Sequence, residues 1–130
     1  MAFKHLLAYD SGIKFCLGTG LTARLKELTA TTIYSSEGNS IIHELALGAL
    51  TNIAMNPDCK IECVKEKVIA FTHHFLESSV PLEVGNTVSL IMFTAIDLLG
   101  KKQCIYNDSG KVDTAIIVKL IKLLEKEDLS

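Results

Sequence analysis

The chain contains no tryptophan and only 6% aromatic residues, so a core built on stacked rings is excluded and the 48% of apolar residues must fill it with aliphatic side chains. Two prolines in 130 residues leave long stretches free to be helical. Neither charge dominates. With 13 Lys and Arg against 15 Asp and Glu, a formal net charge of −2 and a pI near 6.1, the broad positive footprint of a nucleic-acid or anionic-membrane binder is missing. The N-terminal "MAFKHLLAYDSG" has no apolar run of signal-peptide length before Asp10 interrupts it. The most apolar stretch, residues 88–99, is too short to span a bilayer and carries Asp97. The four cysteines, Cys16, Cys59, Cys63 and Cys104, lie in apolar, helix-like surroundings and not in Gly-rich loops, which speaks against a disulfide scaffold. These absences predict one soluble, aliphatic domain of a reducing compartment, cytoplasm or nucleus, that no membrane holds.

Turn signals divide what is there. "DSG" (10–12), "GTG" (18–20), "SSEGN" (35–39), "NPD" (56–58), "SSVP" (78–81), "GKK" (100–102) and "NDSG" (107–110) separate segments of helical length. Over 39–55, Ile42, Leu45, Ala46, Ala49, Leu50 and Ile53 recur at three-and-four spacing, and Ile41, Leu47 and Ala54 carry the apolar surface round much of the helix. Such a helix must be sandwiched on more than one side. A second helix of this type is predicted over 82–100, with Val84, Val88, Ile91, Met92, Ala95, Ile96 and Leu99 inward and Gly100 as its stop. Residues 112–127 form an ordinary amphipathic helix. Strand alternation is not sustained anywhere, although "KVIAF" and "TAIIV" are β-branched runs that are locally ambiguous.

The pieces also repeat. "ALTNIAMNPD" (49–58) overlays "AIDLLGKKQC" (95–104) at an offset of 46 and "AFKHLLAYDS" (2–11) at an offset of 47. After each comes a short piece with one cysteine in nearly the same phase, "KIECVK", "QCIYND" or "IKFCLG". A second helix then follows: "VIAFTHHFLESS", "VDTAIIVKLIKLL" or "LTARLKELTAT". A unit of roughly 46 residues with a short, a medium and a long buried helix lies within the period range of helical solenoids.

At this level the chain resembles the armadillo-repeat family. "ALTNIA" (49–54) is similar to that family's A-L-x-N-[LI]-A near the end of the third helix, and "MNPDCKIECVKEKVIAFTHHFLES" (55–78) has the style of its first two helices. The resemblance implies an all-α, right-handed α-solenoid of about two and a half three-helix repeats. Its single domain, 1–130, would divide into a partial unit (2–10), a repeat (13–56), a second repeat (57–101) and terminal helices (103–127). Gly20 and Gly110 match the glycine that turns the first helix of a repeat into the second; in the middle unit Lys67 stands there instead. Such units bury their long helices only by stacking, so an end without a polar cap invites further repeats or a partner. The chain is therefore expected to be part of a longer array or to self-associate through apolar terminal faces.

For function the resemblance implies a non-enzymatic scaffold that takes a protein or peptide along the concave row of third helices, here His5, Glu44, Gly48, Asn52, Thr94 and Leu98. Peptide-binding members of the family present an Asn from each third helix, whose amide both donates and accepts. Only Asn52 matches among His5, Asn52 and Leu98, and Gly48 and Thr94 stand where a Trp is frequent. An incomplete ladder points toward an apolar helix-in-groove or domain-docking mode. The plainer reading of Asn52 is a helix-terminal residue bonded to nearby backbone.

Other constellations are weaker. Cys59-x-x-x-Cys63 with His73 and His74 has zinc-like residue types, but one cysteine per repeat is the pattern of a packing position, so no metal and no cofactor is expected. His73 and His74 have no neighbouring nucleophile in any catalytic motif, "GTG" lacks the strand a phosphate loop needs, and the carboxylates are scattered. Lys101, Lys102, Lys111, Lys119 and Lys122 are interleaved with acids and lack an aromatic platform, which leaves nucleic acid the least favoured partner.

Overall fold

A computed structural model describes residues 19–128 apart from residue 33. His5, Cys16 and the partial unit at 2–10 lie outside the described residues. The described chain is all-helical, in the order α1 (Leu21–Leu28), α2 (Ser36–Met55), α3 (Lys60–Lys65), α4 (Val68–Thr72), a 3-10 turn (His73–Glu77), α5 (Pro81–Thr94), α6 (Leu98–Ile105) and α7 (Ala115–Asp128). Both β-branched runs are helical, in α4 and α7. The only extended pairing among the described residues is one bridge between Tyr106 and Val112, around the 107–110 turn.

Local chemistry sets most of the boundaries. Ser35 caps α2 by accepting from the Gly38 amide, and the Asn39 amide closes the approach by bonding both backbone groups of Tyr34. Asn56 leaves the helical region at the other end, and its side chain accepts from the Asp58 amide across Pro57. Pro81 opens α5 at a position whose amide would be unsatisfied in any case. The expected stop at Gly100 is corrected: α5 ends at Thr94, and Asp97 caps a new helix through the Leu99 amide. The boundary expected at 101–103 thus falls inside α6.

Gly100 has a different job there. α6 packs so close to the end of α5 that a Cβ on Gly100 would run into the Thr94 carbonyl. The medium helix of the middle unit is also not continuous, since α4 passes at Thr72 into the 3-10 turn. The Thr72 hydroxyl donates to the Val68 carbonyl at 2.6 Å, a local bond that competes with regular helix geometry.

The core has two parts. Leu25, Leu47, Leu50, Ile53, Cys63, Val68, Phe75 and Leu90 form the larger, between α1, α2, α3 and α5. Ile69, Leu76, Ile91, Cys104 and Ile116 form the smaller, under α7. α2 and α5 pack most extensively on one another.

Among the described residues three have positive φ: Gly20 (77°), Lys67 (54°) and Gly110 (77°). Lys67 therefore takes the left-handed conformation that glycine holds at the two corresponding turns, at a cost of about 1–2 kcal/mol for an L-residue. Its ammonium meets Asp108 at 3.0 Å, but both side chains are largely exposed, so the pair offsets little of that strain.

Two stability tests follow from these geometries. Gly100→Ala should lower unfolding stability by about 1–3 kcal/mol, because backbone must move. Gly85→Ala, in open space on α5, should raise it by about 0.5–1 kcal/mol, as replacing a helical glycine does. Chemical denaturation reads both signs. At Lys67, the Gly variant should be more stable than the Ala variant by about 1 kcal/mol, the reverse of the order inside a helix.

Candidate functional site

The row expected to face a partner is only partly assembled. Glu44 and Asn52 are half-buried on one stripe of α2, with Gly48 between them, but Gly48 is buried. Thr94 is wholly buried at the foot of α6, and Leu98, though 65% exposed, begins α6 and does not end α5. The row therefore does not continue from Asn52 to Thr94 and Leu98. Overlaying 95–104 on 49–58 matched the end of one helix to the turn and start of another, because α5 is six residues shorter than the 20-residue α2. Counting forward from Pro81, and reading Asp97 as a cap, would have found the limits of α5, but not the stripe that it exposes.

That stripe is Leu82, Gly85, Ser89 and Met92, spaced three and four apart, with Leu82 58% and Met92 54% exposed; Met92, Ile96 and Leu99, expected inward, are all exposed. On α2 the corresponding stripe runs through Glu37, Ile41, Glu44, Asn52 and Met55. The Ser40 hydroxyl reaches Glu83 at 3.1 Å and the Thr51 hydroxyl reaches the Asn86 carbonyl at 3.2 Å, so contacts advance in the same direction along both helices. At about 100° per residue, the α2 stripe lies to one side of its seam residues and the α5 stripe to the opposite hand of its own. For helices of parallel sense this puts both stripes on one face.

The charge on that face is decided by Glu83. It is the only charged residue of α5, and it is buried, its carboxylate accepting from Ser78 at 2.7 Å and from Ser40. Two hydroxyl donors from different segments meet the requirement that a buried carboxylate be hydrogen-bonded, and they pin the start of α5 to α2 and to the preceding turn. The outer side of α5 is left without charge.

A second polar group joins the 3-10 turn to α7. The Lys119 ammonium, mostly buried, donates to His73 Nδ1 at 2.9 Å and pairs with Glu77 at 3.1 Å. The His73 bond requires a neutral imidazole. His74 meets the Phe75 ring at a tilt and His43 meets it edge-on, at 4.2 and 5.3 Å between centroids, and His43 Nε2 donates to the Thr31 carbonyl at 2.7 Å. Burial, then Lys119, holds both His73 and His74 below the ordinary histidine range; the other histidine nearby, His74 for His73 and His43 for His74, adds to this, while Glu77 with Asp113 or Glu83 opposes it.

The cysteines pack. Cys59 and Cys63 lie in the larger core, and burial, followed by Glu62 and Cys59, pushes the Cys63 thiol up to about 12. Cys104 is raised by burial in the smaller one. Among the described residues no three His, Cys, Asp or Glu side chains converge as metal ligands, and no helix is long and apolar enough to cross a membrane. Lys101, Lys102, Lys111 and Lys122 are exposed, whereas Lys119 is engaged in the bonds above.

Compared with known proteins, the chain matches no family model, no curated protein and no solved structure, so nothing in those comparisons identifies an armadillo-repeat family.

The histidines give a pH prediction with a definite sign. A lowered folded pKa means that the unfolded chain binds more protons below about 6.5, so stability is complete above that value and falls as the pH drops toward the folded pKa. Urea unfolding at pH 7.5 and 5.5 should show wild type weakened at the lower pH, and His73→Gln combined with His74→Gln should flatten the difference.

Proposed function

We propose that the protein is a non-enzymatic, armadillo-like module, a right-handed α-solenoid of about two and a half repeats, that binds a protein partner along the common face of α2 and α5 in the cytoplasm or nucleus. The recurring order supports the repeat reading. A left-handed residue precedes α1 and α2, recurs between α3 and the α4 segment that leads to α5, and recurs again between α6 and α7. Three buried cysteines at helix-packing positions suit a reducing compartment.

One observation carries the binding role: the exposed side of α5 is formed by Leu82, Gly85, Ser89 and Met92, with no charge. A surface helix normally opposes its apolar stripe with charged residues; one that is apolar on both sides is covered on both sides. Ile41 and Met55 extend the patch on α2. Methionines suit such a role because the thioether adapts to the shape that covers it.

A second reading has its own observation. α7 packs Ile116, Leu120 and Leu123 on the smaller core while a neighbouring stripe of Ile117, Ile121 and Leu124 stays exposed. Stacking of copies, or continuation into further repeats, would cover that stripe.

The two readings separate on one set of samples. Light scattering and affinity capture should show Met92→Asp losing the proteins that wild type captures without a change in mass, while Ile121→Glu keeps them. If Met92→Asp and Leu82→Asp capture the same proteins at the same yield, and Ile121→Glu alone reduces a concentration-dependent mass, self-assembly replaces the binding face.

A further inference from the structure

The lysines and arginines are segregated. None lies between Lys26 and Lys60, and none between Lys67 and Lys101. Those intervals contain the whole of α2 and α5 with their flanking turns, whereas the bases are carried by α1, by α3 and the residues after it, by α6 and by α7. Over the same intervals the acids continue. Glu37 and Glu44 stand on the exposed stripe of α2, Asp97 stands beyond the end of α5, and Glu37 and Glu44 meet no basic side chain among the described residues. The face therefore has an apolar floor on α5, Leu82 and Met92, and along α2 a rim of one sign in which Glu37 and Glu44 alternate with Ile41, with Met55 beyond the buried Gly48.

We infer that this face takes a basic amphipathic helix, its apolar side on that floor and its lysines or arginines toward Glu37, Glu44 and Asp97; the inference rests on the protein-binding reading above and specifies its partner. Two physical arguments select the occupant. An extended segment needs its backbone amides and carbonyls satisfied along the groove, and Asn52 has no amide counterpart at the buried Thr94 or at Leu98 to continue such a ladder. A helix satisfies its own backbone and needs from the groove only apolar contact along one stripe. The rim then fixes the sign, since a like-charged flank is repelled and an opposite one is steered in.

The test uses the full chain and synthetic peptides about five helical turns long with an identical leucine stripe and either lysine or glutamate on the polar face. Fluorescence anisotropy should show the lysine peptide binding at least about tenfold tighter than the glutamate peptide. Its affinity should fall at least about tenfold with Glu37→Lys combined with Glu44→Lys, or with Met92→Asp, each variant keeping the wild-type helical circular dichroism, and should fall in raised salt. Glu125→Lys on α7 should leave it unchanged, and a proline in the middle of the lysine peptide should weaken it, because a helix is required. Equal binding of both peptides, no effect of the rim reversal, or equal binding of the proline peptide overturns the inference. If neither peptide binds while Met92→Asp still abolishes capture of cellular proteins, the face binds a partner of other chemistry: the inference falls and the binding reading stands. If the lysine peptide binds wild type and Met92→Asp alike, and capture is also unaffected, both fall.

Discussion

Everything in this fold is arranged around the second half of α2, a helix that is buried on nearly its whole circumference. Ala46, Leu47, Gly48, Ala49, Leu50, Ile53 and Ala54 are all inaccessible, and burying side chains such as Leu47, Leu50 and Ile53 contributes about 1.5–3 kcal/mol each. No single neighbour can cover such a surface. α1, α3 and α5 close on it from different sides, and the larger core is the volume they enclose. The short helices fill positions around a long one that would otherwise face water.

The close approach depends on small and self-satisfied residues. Thr72 and Thr87 are buried, yet each hydroxyl donates to a carbonyl four residues earlier, so no partner is required from the neighbour, and the Thr51 hydroxyl is shared between the Leu47 carbonyl of its own helix and the Asn86 carbonyl of α5. Gly100 takes the same logic further by letting α6 rest on the end of α5. Glu83 is the exception that links rather than spaces. Its carboxylate draws hydroxyls from α2 and from the turn before α5, and in doing so it takes the one charge of α5 inside. The uncharged outer side of α5 is thus a consequence of how α5 is anchored.

Much of the architecture is legible in the residues. The "SSEGN" and "NPD" signals mark the two ends of α2 because caps are local: Ser35, Asn39 and Asn56 bond within a few residues of themselves. The three turns at Gly20, Lys67 and Gly110 share one backbone conformation, although residue type suggested only two of them. The candidate face was half legible. Glu44 and Asn52 lie on the α2 stripe, but nothing in residue type singles out Leu82, Gly85 and Ser89, and Met92 reads as inward because apolar spacing does not tell a covered face from an exposed one.

Helical periodicity, caps and turns depend on neighbours within one or two turns, and for that reason the amino-acid sequence by itself determined that the described residues are helical, where α2 stops, and the packing role of Cys59, Cys63 and Cys104. That Thr94 is covered by α6 and that Glu83 is turned inward were decided only by tertiary structure. The first depends on how the next helix docks on the end of α5 and the second on the Ser40 hydroxyl of α2, and local spacing carries no record of such contacts.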